Sequence, residues 1–151
     1  RSGRGELQGE VVVQSFNSNE NTIKLASRLK FKEYVNEALK ERELLHYPPF
    51  SWLAKIELRA KNKEKLLNMM NFLSSKTKGI NDVFFLGPSV CYREKLNGYY
   101  RAHLIIKSLK KTDPNGLKLD SISDFLYSSI INQKKLKSTD IFIDKNPISL
   151  L

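Results

Sequence analysis

The alternation of apolar and polar residues predicts a strand and two helices in the first part of the chain. Val11 to Phe16 begins with three valines, which indicates a short strand buried on both faces. Asn17-Ser18-Asn19 interrupts this strand and can cap a helix that starts near Glu20. From Phe31 to Leu45 apolar residues recur at helical spacing, and the prolines of Tyr47-Pro48-Pro49-Phe50 end that second helix.

A strand and a helix follow. Phe50 to Ala60 alternates between apolar and polar residues, which is typical of a half-buried strand. Asn62 caps a helix that runs to about Lys78, and Gly79 closes it. The helical periodicity places four apolar side chains toward the core: Leu66, Leu67, Met70 and Leu73.

The remaining pattern predicts a second strand, a hairpin, a helix and a last strand. Val83 to Leu86 forms the second strand, which Gly87-Pro88 ends. Asn97-Gly98 is a strong hairpin turn signal, and Tyr99 to Lys107 forms the third strand. The last elements are a polar loop at Lys110–Gly116, a helix with Leu119, Ile122, Phe125, Leu126 and Ile130 facing inward, and a strand at Ile141–Ile143.

The order of elements after Phe50 is therefore β-α-β-β-α-β, which defines the predicted fold class. It indicates an α+β domain of the ferredoxin-like type, in which two helices cover one face of a four-stranded sheet. We expect residues 50–151 to form this domain and residues 17–49 to form a helical connector before it.

Composition excludes several classes of protein. The single cysteine, Cys91, rules out an internal disulfide and a zinc site built from several cysteines. A catalytic Ser or Cys needs a base, and only two histidines are present: His46 lies against the proline turn, and His103 lies on a strand, where a lone histidine is usually a surface or packing residue. No phosphate-binding glycine loop, membrane-spanning run or leader is recognisable. We expect a cytoplasmic chain with no catalysis, metal or cofactor of its own.

The net charge of +10 indicates a polyanionic or acidic partner. Residues 89–118 hold seven Lys and Arg residues against two acids. Aromatic rings can stack on bases while cations neutralise phosphates. The predicted DNA-binding residues lie on both arms of the hairpin: Tyr92, Arg93, Lys95, Tyr99 and Arg101.

Alternative interpretations of this basic region remain open. The cations can form an ordinary solvated face, or they can bind an acidic peptide tail, which makes the chain a protein-interaction module. A stand-alone RNA-binding domain is a third interpretation. It is disfavoured because the strands lack the paired exposed aromatic residues on which such domains stack bases.

An ordered set of short motifs resembles one family. The chain is similar over nearly its whole length to the C-terminal part of primosomal protein N′ (PriA), the bacterial helicases that restart replication. The motifs are Arg1-Ser2-Gly3-Arg4-Gly5, Gly9-Glu10-Val11, Gln14, Glu41-Arg42, Leu44, Tyr47-Pro48-Pro49-Phe50, Leu86-Gly87-Pro88, Tyr100-Arg101, Ile143-Asp144, Pro147 and Leu150-Leu151.

The resemblance implies a role for each part of the chain. Residues 1–16 would be the end of the second RecA-like motor domain, with a remnant strand, and Arg1 and Arg4 would contact ATP phosphates in the parent helicase. The resemblance implies that the parent is an ATP-driven 3′-to-5′ DNA helicase that binds ATP, Mg and Zn outside this fragment.

The resemblance also implies partners. They are forked or single-stranded DNA, the acidic tail of single-stranded DNA-binding protein, and other primosome proteins, in the cytoplasm at the nucleoid. Three lysines are candidates for binding the acidic tail: Lys110, Lys111 and Lys118.

Overall fold

The computed structural model describes residues 11–133 and 140–150 of the chain. The chain divides into two compact units, Arg1–Glu41 and Arg42–Leu151. Helix α1 (Asn21–Ser27) and most of helix α2 (Phe31–Leu44) belong to the first unit. Both helices lie where the sequence pattern predicts helices. The second unit starts earlier than residue 50 because the turn after α2 is bonded to the sheet: Lys107 donates to the Leu45 carbonyl (2.8 Å).

The predicted strand at Val11–Phe16 is wrong. Residues 11–16 form no strand, and Val12 and Phe16 are almost fully exposed. A strand must satisfy its backbone groups by pairing with a neighbour, and an unpaired strand is unstable in water. The described part of the chain pairs no strand with these residues, so the valine run forms no regular element.

The second unit contains a four-stranded antiparallel sheet and two helices. The strands lie in the spatial order β2-β3-β1-β4. The α+β class and the predicted β-α-β-β-α-β order are confirmed. In chain order the elements are β1 (Ser51–Ala60), α3 (Lys63–Thr77), β2 (Phe84–Leu96), β3 (Tyr99–Leu109), α4 (Leu117–Ile131) and β4 (Asp140–Lys145).

The core forms where α3 and α4 cover one face of the two central strands, β1 and β3. Ile56 and Leu58 of β1 and Leu104 of β3 are fully buried there. Helix α3 contributes Leu66, Met69 and Leu73, at spacings of three and four residues. The core prediction for Leu67 and Phe125 is wrong. Both are about half-exposed, since each lies roughly one helical step of 100° away from its buried neighbour, Leu66 or Leu126.

Strand β2 is longer than predicted, because Gly87-Pro88 does not end it. The register shifts once between Leu86 and Ser89, and the strand then continues at the edge of the sheet. An edge strand tolerates proline, since one row of its backbone groups faces solvent. Gly87 has φ +96°, and a Cβ there would lie 2.9 Å from the His103 carbonyl oxygen, so this bulge requires glycine.

Candidate nucleic-acid interface

The structure places the two predicted groups of binding residues at opposite ends of the sheet. Ala60 pairs with Tyr100 beside the hairpin turn, whereas Ser51 pairs with Leu109 next to the Lys110 loop. The two positions are nine residue steps apart along β3, which corresponds to about 30 Å of extended strand. The hairpin residues and the loop lysines therefore form two separate surfaces.

At the hairpin end, two tyrosines are covered by lysines. The Lys61 Nζ lies 5.8 Å from the Tyr99 ring centroid, and the Lys95 Nζ lies 4.9 Å from that of Tyr100. Tyr100 also packs against the core, as expected for one of two successive strand residues. Cation–π contacts of this kind hold ammonium groups at a defined place on the surface.

Sequence reasoning missed Lys61 and Lys63, which belong to this end of the sheet. Lys61 lies in the β1–α3 turn, and Lys63 is the first residue of α3. The Asn62 side chain between them caps α3 by accepting from the Glu64 N–H (2.7 Å). Lys63 pairs with Glu94 of the hairpin (2.7 Å), and this hydrogen bond raises the pKa of Lys63. Their proximity to the hairpin follows from the central position of β1, which no local pattern encodes.

Arg101, one of the predicted DNA-binding residues, is already engaged by Glu57. Its Nε and Nη2 donate to the two carboxylate oxygens of Glu57 at 3.0 and 3.1 Å. Arg59 donates to the same carboxylate (2.6 Å) and lies over the Phe142 ring, 4.4 Å from its centroid. Burial raises the pKa of Glu57, but hydrogen bonds from the two arginines outweigh it, and the net pKa is lowered. The Arg101–Glu57 ion pair thus links β3 to β1.

The remaining hairpin residues face solvent. Tyr92 is 95% exposed, and Arg93 and Lys95 are exposed beside it. Arg93 has no acidic partner within residues 11–133 and 140–150, so its guanidinium is available to an anion there. Together with Lys61, these side chains place cations and aromatic rings at one end of the sheet, and we call this group of residues the hairpin surface: Lys61, Tyr92, Arg93, Lys95 and Tyr99.

Cys91 and His103 form a polar pair beneath the hairpin. The Cys91 Sγ lies 3.3 Å from His103 Nδ1, and the Ser89 Oγ lies 3.4 Å from Nε2. Burial raises the pKa of the Cys91 thiol and lowers the pKa of His103. Both directions favour the neutral forms, so the pair is not an activated thiolate and imidazolium. The described residues contain no cluster of three metal-ligating side chains.

At the opposite end, a buried aspartate organises the loop that carries the predicted tail-binding lysines. The Asp113 carboxylate accepts from the Ser108 hydroxyl (2.8 Å) and from the backbone N–H groups of Lys118 (3.2 Å) and Leu119 (3.1 Å). Burial raises the pKa of Asp113, but these hydrogen bonds outweigh it and lower the pKa overall. Its backbone carbonyl accepts from the Trp52 Nε1–H (3.0 Å), which fixes the loop on β1.

The three loop lysines differ in their surroundings. The Lys110 Nζ lies 4.1 Å from the Trp52 ring centroid, at the edge of a cavity of about 390 Å³. Lys111 is exposed, and Lys118 lies 4.0 Å from Asp82. The cavity is lined by Pro48, Ser51, Trp52, Leu53, Lys110, Asn146 and Pro147. The two remaining predicted site residues, Arg1 and Arg4, lie outside the described residues.

Comparisons with known proteins point to one protein family. The model of the family described as "Primosomal protein N C-terminal domain" matches residues 43–147. The chain is 33% identical over 108 residues to the replication restart protein PriA of Thermotoga maritima, covering 72% of the chain and 14% of that protein. It is 29% identical to PriA of Borreliella burgdorferi and 26% identical to PriA of Bacillus subtilis.

These comparisons also show how much of the relatives the chain represents. The matches to the Borreliella burgdorferi and Bacillus subtilis proteins cover the whole chain, but they cover only 22% and 18% of those two proteins. The chain thus spans less than a quarter of each of these three proteins. No helix in the described part of the chain is long and apolar enough to cross a membrane.

Proposed function

The chain belongs to the PriA C-terminal domain family, and we propose that it binds DNA at the hairpin surface during replication restart. The observation that carries this proposal is the grouping of Lys61, Arg93 and Lys95 with three tyrosines at one end of the sheet. Such a surface neutralises phosphates and stacks on bases without selecting a sequence. The strand order supports the ferredoxin-like assignment for this domain.

The resemblance to PriA supports a wider proposal about the parent protein. We infer an ATP-dependent 3′-to-5′ DNA helicase whose ATP, Mg and Zn are bound outside this fragment, with Arg1 and Arg4 directed at the ATP phosphates. In this proposal residues 17–49 connect the motor domain to the DNA-binding domain, and the fragment itself contributes no catalysis. The parent acts in the cytoplasm at the nucleoid with other primosome proteins.

DNA binding at the hairpin surface should depend on salt. For the 151-residue chain and a forked oligonucleotide, log K should fall linearly with log salt concentration. Arg93→Ala and Lys95→Ala should each reduce the slope by about one, because each removes about one phosphate contact. Fluorescence anisotropy at several salt concentrations measures both quantities. Lys78→Ala, an exposed cation beyond the other end of α3, should leave the slope unchanged.

Two results would contradict this proposal. A binding constant that is insensitive to salt removes its electrostatic basis. An Arg93→Ala variant that loses affinity for some sequences but not for others would show base reading instead of phosphate contact.

A second function is favoured by the cavity beside Lys110. An ammonium group next to a cavity lined by Trp52 and two prolines suits an acidic peptide, such as the acidic tail of single-stranded DNA-binding protein. The structure offers a simple reporter for it, since Trp52 is the single tryptophan of the chain.

An acidic peptide bound at this cavity should change the emission of Trp52, whereas DNA at the hairpin surface should not. Lys110→Ala should abolish the response to a peptide ending in aspartates, and Lys95→Ala should preserve it. Titration of the 151-residue chain with the peptide and with DNA, alone and together, tests this. Competition between the two ligands would contradict separate sites, which lie about 30 Å apart.

A further inference from the structure

The chain contains two Asn-Gly dipeptides, and they lie in different surroundings. Asn97-Gly98 forms the turn between β2 and β3, whereas Asn115-Gly116 lies directly before α4. Asparagine loses its side-chain ammonia most easily before glycine, because glycine carries no side chain that would hinder attack by its own backbone nitrogen. The sequence therefore makes both asparagines equally susceptible, and any difference between them must come from the fold.

The Asn-Gly pair of the hairpin is open to solvent. Leu96 pairs with Tyr99, so Asn97 and Gly98 are the two central residues of a two-residue turn, with φ of 50° and 82°. In such a turn the flanking residues make the ladder hydrogen bonds, and the N–H groups of the central residues lie outside the ladder. Asn97 is exposed, and a Cβ on Gly98 would meet no atom within 4 Å.

The Asn-Gly pair before α4 is held by its neighbours. Gly116 is buried, and its N–H donates to the Asp113 carbonyl (3.2 Å). A Cβ on Gly116 would lie 3.5 Å from the Trp52 ring, so this glycine packs closely against the indole. The backbone nitrogen that would attack the Asn115 side chain is therefore already bonded and enclosed.

Deamidation at the hairpin needs only water. The deprotonated backbone nitrogen of Gly98 attacks Cγ of Asn97, the new N–Cγ bond closes a five-membered succinimide, and the Cγ–NH2 bond breaks. The nitrogen of that group leaves as ammonia together with the proton lost from the Gly98 amide. Water then opens the ring at one of its two carbonyls and leaves either aspartate or isoaspartate, whose backbone is one methylene longer.

Attack also requires rotation of the backbone at the asparagine, so that the next nitrogen reaches Cγ. At the hairpin this rotation opens only the terminal Leu96–Tyr99 pair, and the ends of elements open at little cost in free energy. Before α4 the same rotation would break the hydrogen bond from Gly116 to Asp113 and displace a buried residue. The fold thus favours the reaction at the first site and opposes it at the second.

We propose that Asn97 is a site of spontaneous deamidation, whereas Asn115 keeps its amide in the folded protein. The product places a carboxylate at the hairpin turn, two residues after Lys95 and next to the turn of the hairpin surface. This charge should weaken the attraction of the hairpin surface for anions. The effect on DNA rests on the proposed DNA binding, whereas the modification itself does not.

Incubation of the folded 151-residue chain at mildly alkaline pH, followed by peptide mapping with mass spectrometry, tests the modification. Aspartate and isoaspartate should accumulate at Asn97, and Asn115 should react at least about fivefold more slowly, the factor that corresponds to one further hydrogen bond to break. A protein isoaspartate methyltransferase with a labelled methyl donor should label the same peptide. In urea, where the fold is absent, the two asparagines should react at similar rates.

Two variants separate the charge of the product from the shape of the turn. Asn97→Asp carries the charge, Asn97→Gly carries none, and Asp-Gly and Gly-Gly both suit the same type of turn. Asn97→Asp should bind a forked oligonucleotide about two- to fivefold more weakly than the wild type at low salt, and the difference should shrink as salt rises. Asn97→Gly should bind like the wild type and should not acquire the methyl label at this turn.

The outcomes separate this inference from the proposed function. If the two asparagines react at equal rates in the folded chain, or Asn115 reacts faster, the proposal is wrong. It is also wrong if the difference between them persists in urea, because neighbouring residues and not the fold would then set it. If Asn97 reacts as expected but Asn97→Asp and Asn97→Gly bind DNA equally at low salt, the modification site stands and DNA binding at the hairpin surface fails.

Discussion

Replacing Asp113 by Ala should lower the free energy of unfolding of the second unit by about 2–4 kcal/mol. The buried carboxylate accepts three hydrogen bonds, from Ser108 and from the backbone of Lys118 and Leu119. Removing it leaves a buried hydroxyl and two N–H groups at the start of α4 without acceptors. Hydrogen bonds to a charged group contribute about 1.5–3 kcal/mol each, and their loss is not additive.

Urea unfolding followed by Trp52 emission measures this effect, because Trp52 lies in the second unit and is bonded to the Asp113 carbonyl. Asp82→Ala is the matched control, since Asp82 is exposed and lies 4.0 Å from Lys118. It should change stability by less than about 0.5 kcal/mol. If Asp113→Ala also changed the free energy of unfolding by less than about 0.5 kcal/mol, solvent would be replacing the three hydrogen bonds.

The Asp113 substitution should also affect the cavity beside Lys110. Because Asp113 fixes the loop after β3, its loss should displace Lys110 from the Trp52 ring. The emission response of Trp52 to the acidic peptide should then weaken at a urea concentration where the variant is still folded. An unchanged response would show that Lys110 is held by other contacts.

Local sequence signals sufficed for the order of elements in the second unit. The alternation from Phe50 to Ala60, the cap at Asn62 and the Asn97-Gly98 turn each depend on the chemistry of a few neighbouring residues. Such signals act within one element, so they predict where it begins and ends. The same reasoning failed at Val11–Phe16, because a strand exists only through its partner.

Contacts between elements determine which residues come together at the candidate site. The alternation from Phe50 to Ala60 predicts that Glu57 lies on the polar face of β1, but it does not predict what Glu57 contacts. The sheet order makes β1 central and brings Arg101 of β3 beside Glu57, so this face buries a charged pair. The same order brings Lys61 and Lys63 to the hairpin. The register shift between Val90 and Lys95 of β2 was not predicted, since it is visible only against the register of β3.

The second large effect on stability is expected from removing Glu57, which pairs with Arg101. Glu57→Ala should destabilise the second unit by about 3 kcal/mol at neutral pH, because Arg101 would be left in a mostly buried position without its carboxylate. The exposed pair between Glu94 of β2 and Lys63 of α3 provides the matched control. Glu94→Ala should cost much less than Glu57→Ala, as expected for an ion pair in solvent. Equal costs for the two variants would contradict a special role for burial at Glu57.

Acid should remove the difference in the free energy of unfolding between the wild type and Glu57→Ala. The folded state lowers the pKa of Glu57, so the carboxylate binds its proton more weakly when folded than when unfolded, where the pKa is about 4.3. The resulting stability is fully present above the unfolded pKa and is lost as pH falls through the folded pKa. Urea unfolding at pH 7, 5 and 3 should therefore show the two proteins converging between pH 5 and 3. A difference that stays constant down to pH 3 would mean that packing of the Glu57 side chain, and not its charge, stabilises the sheet.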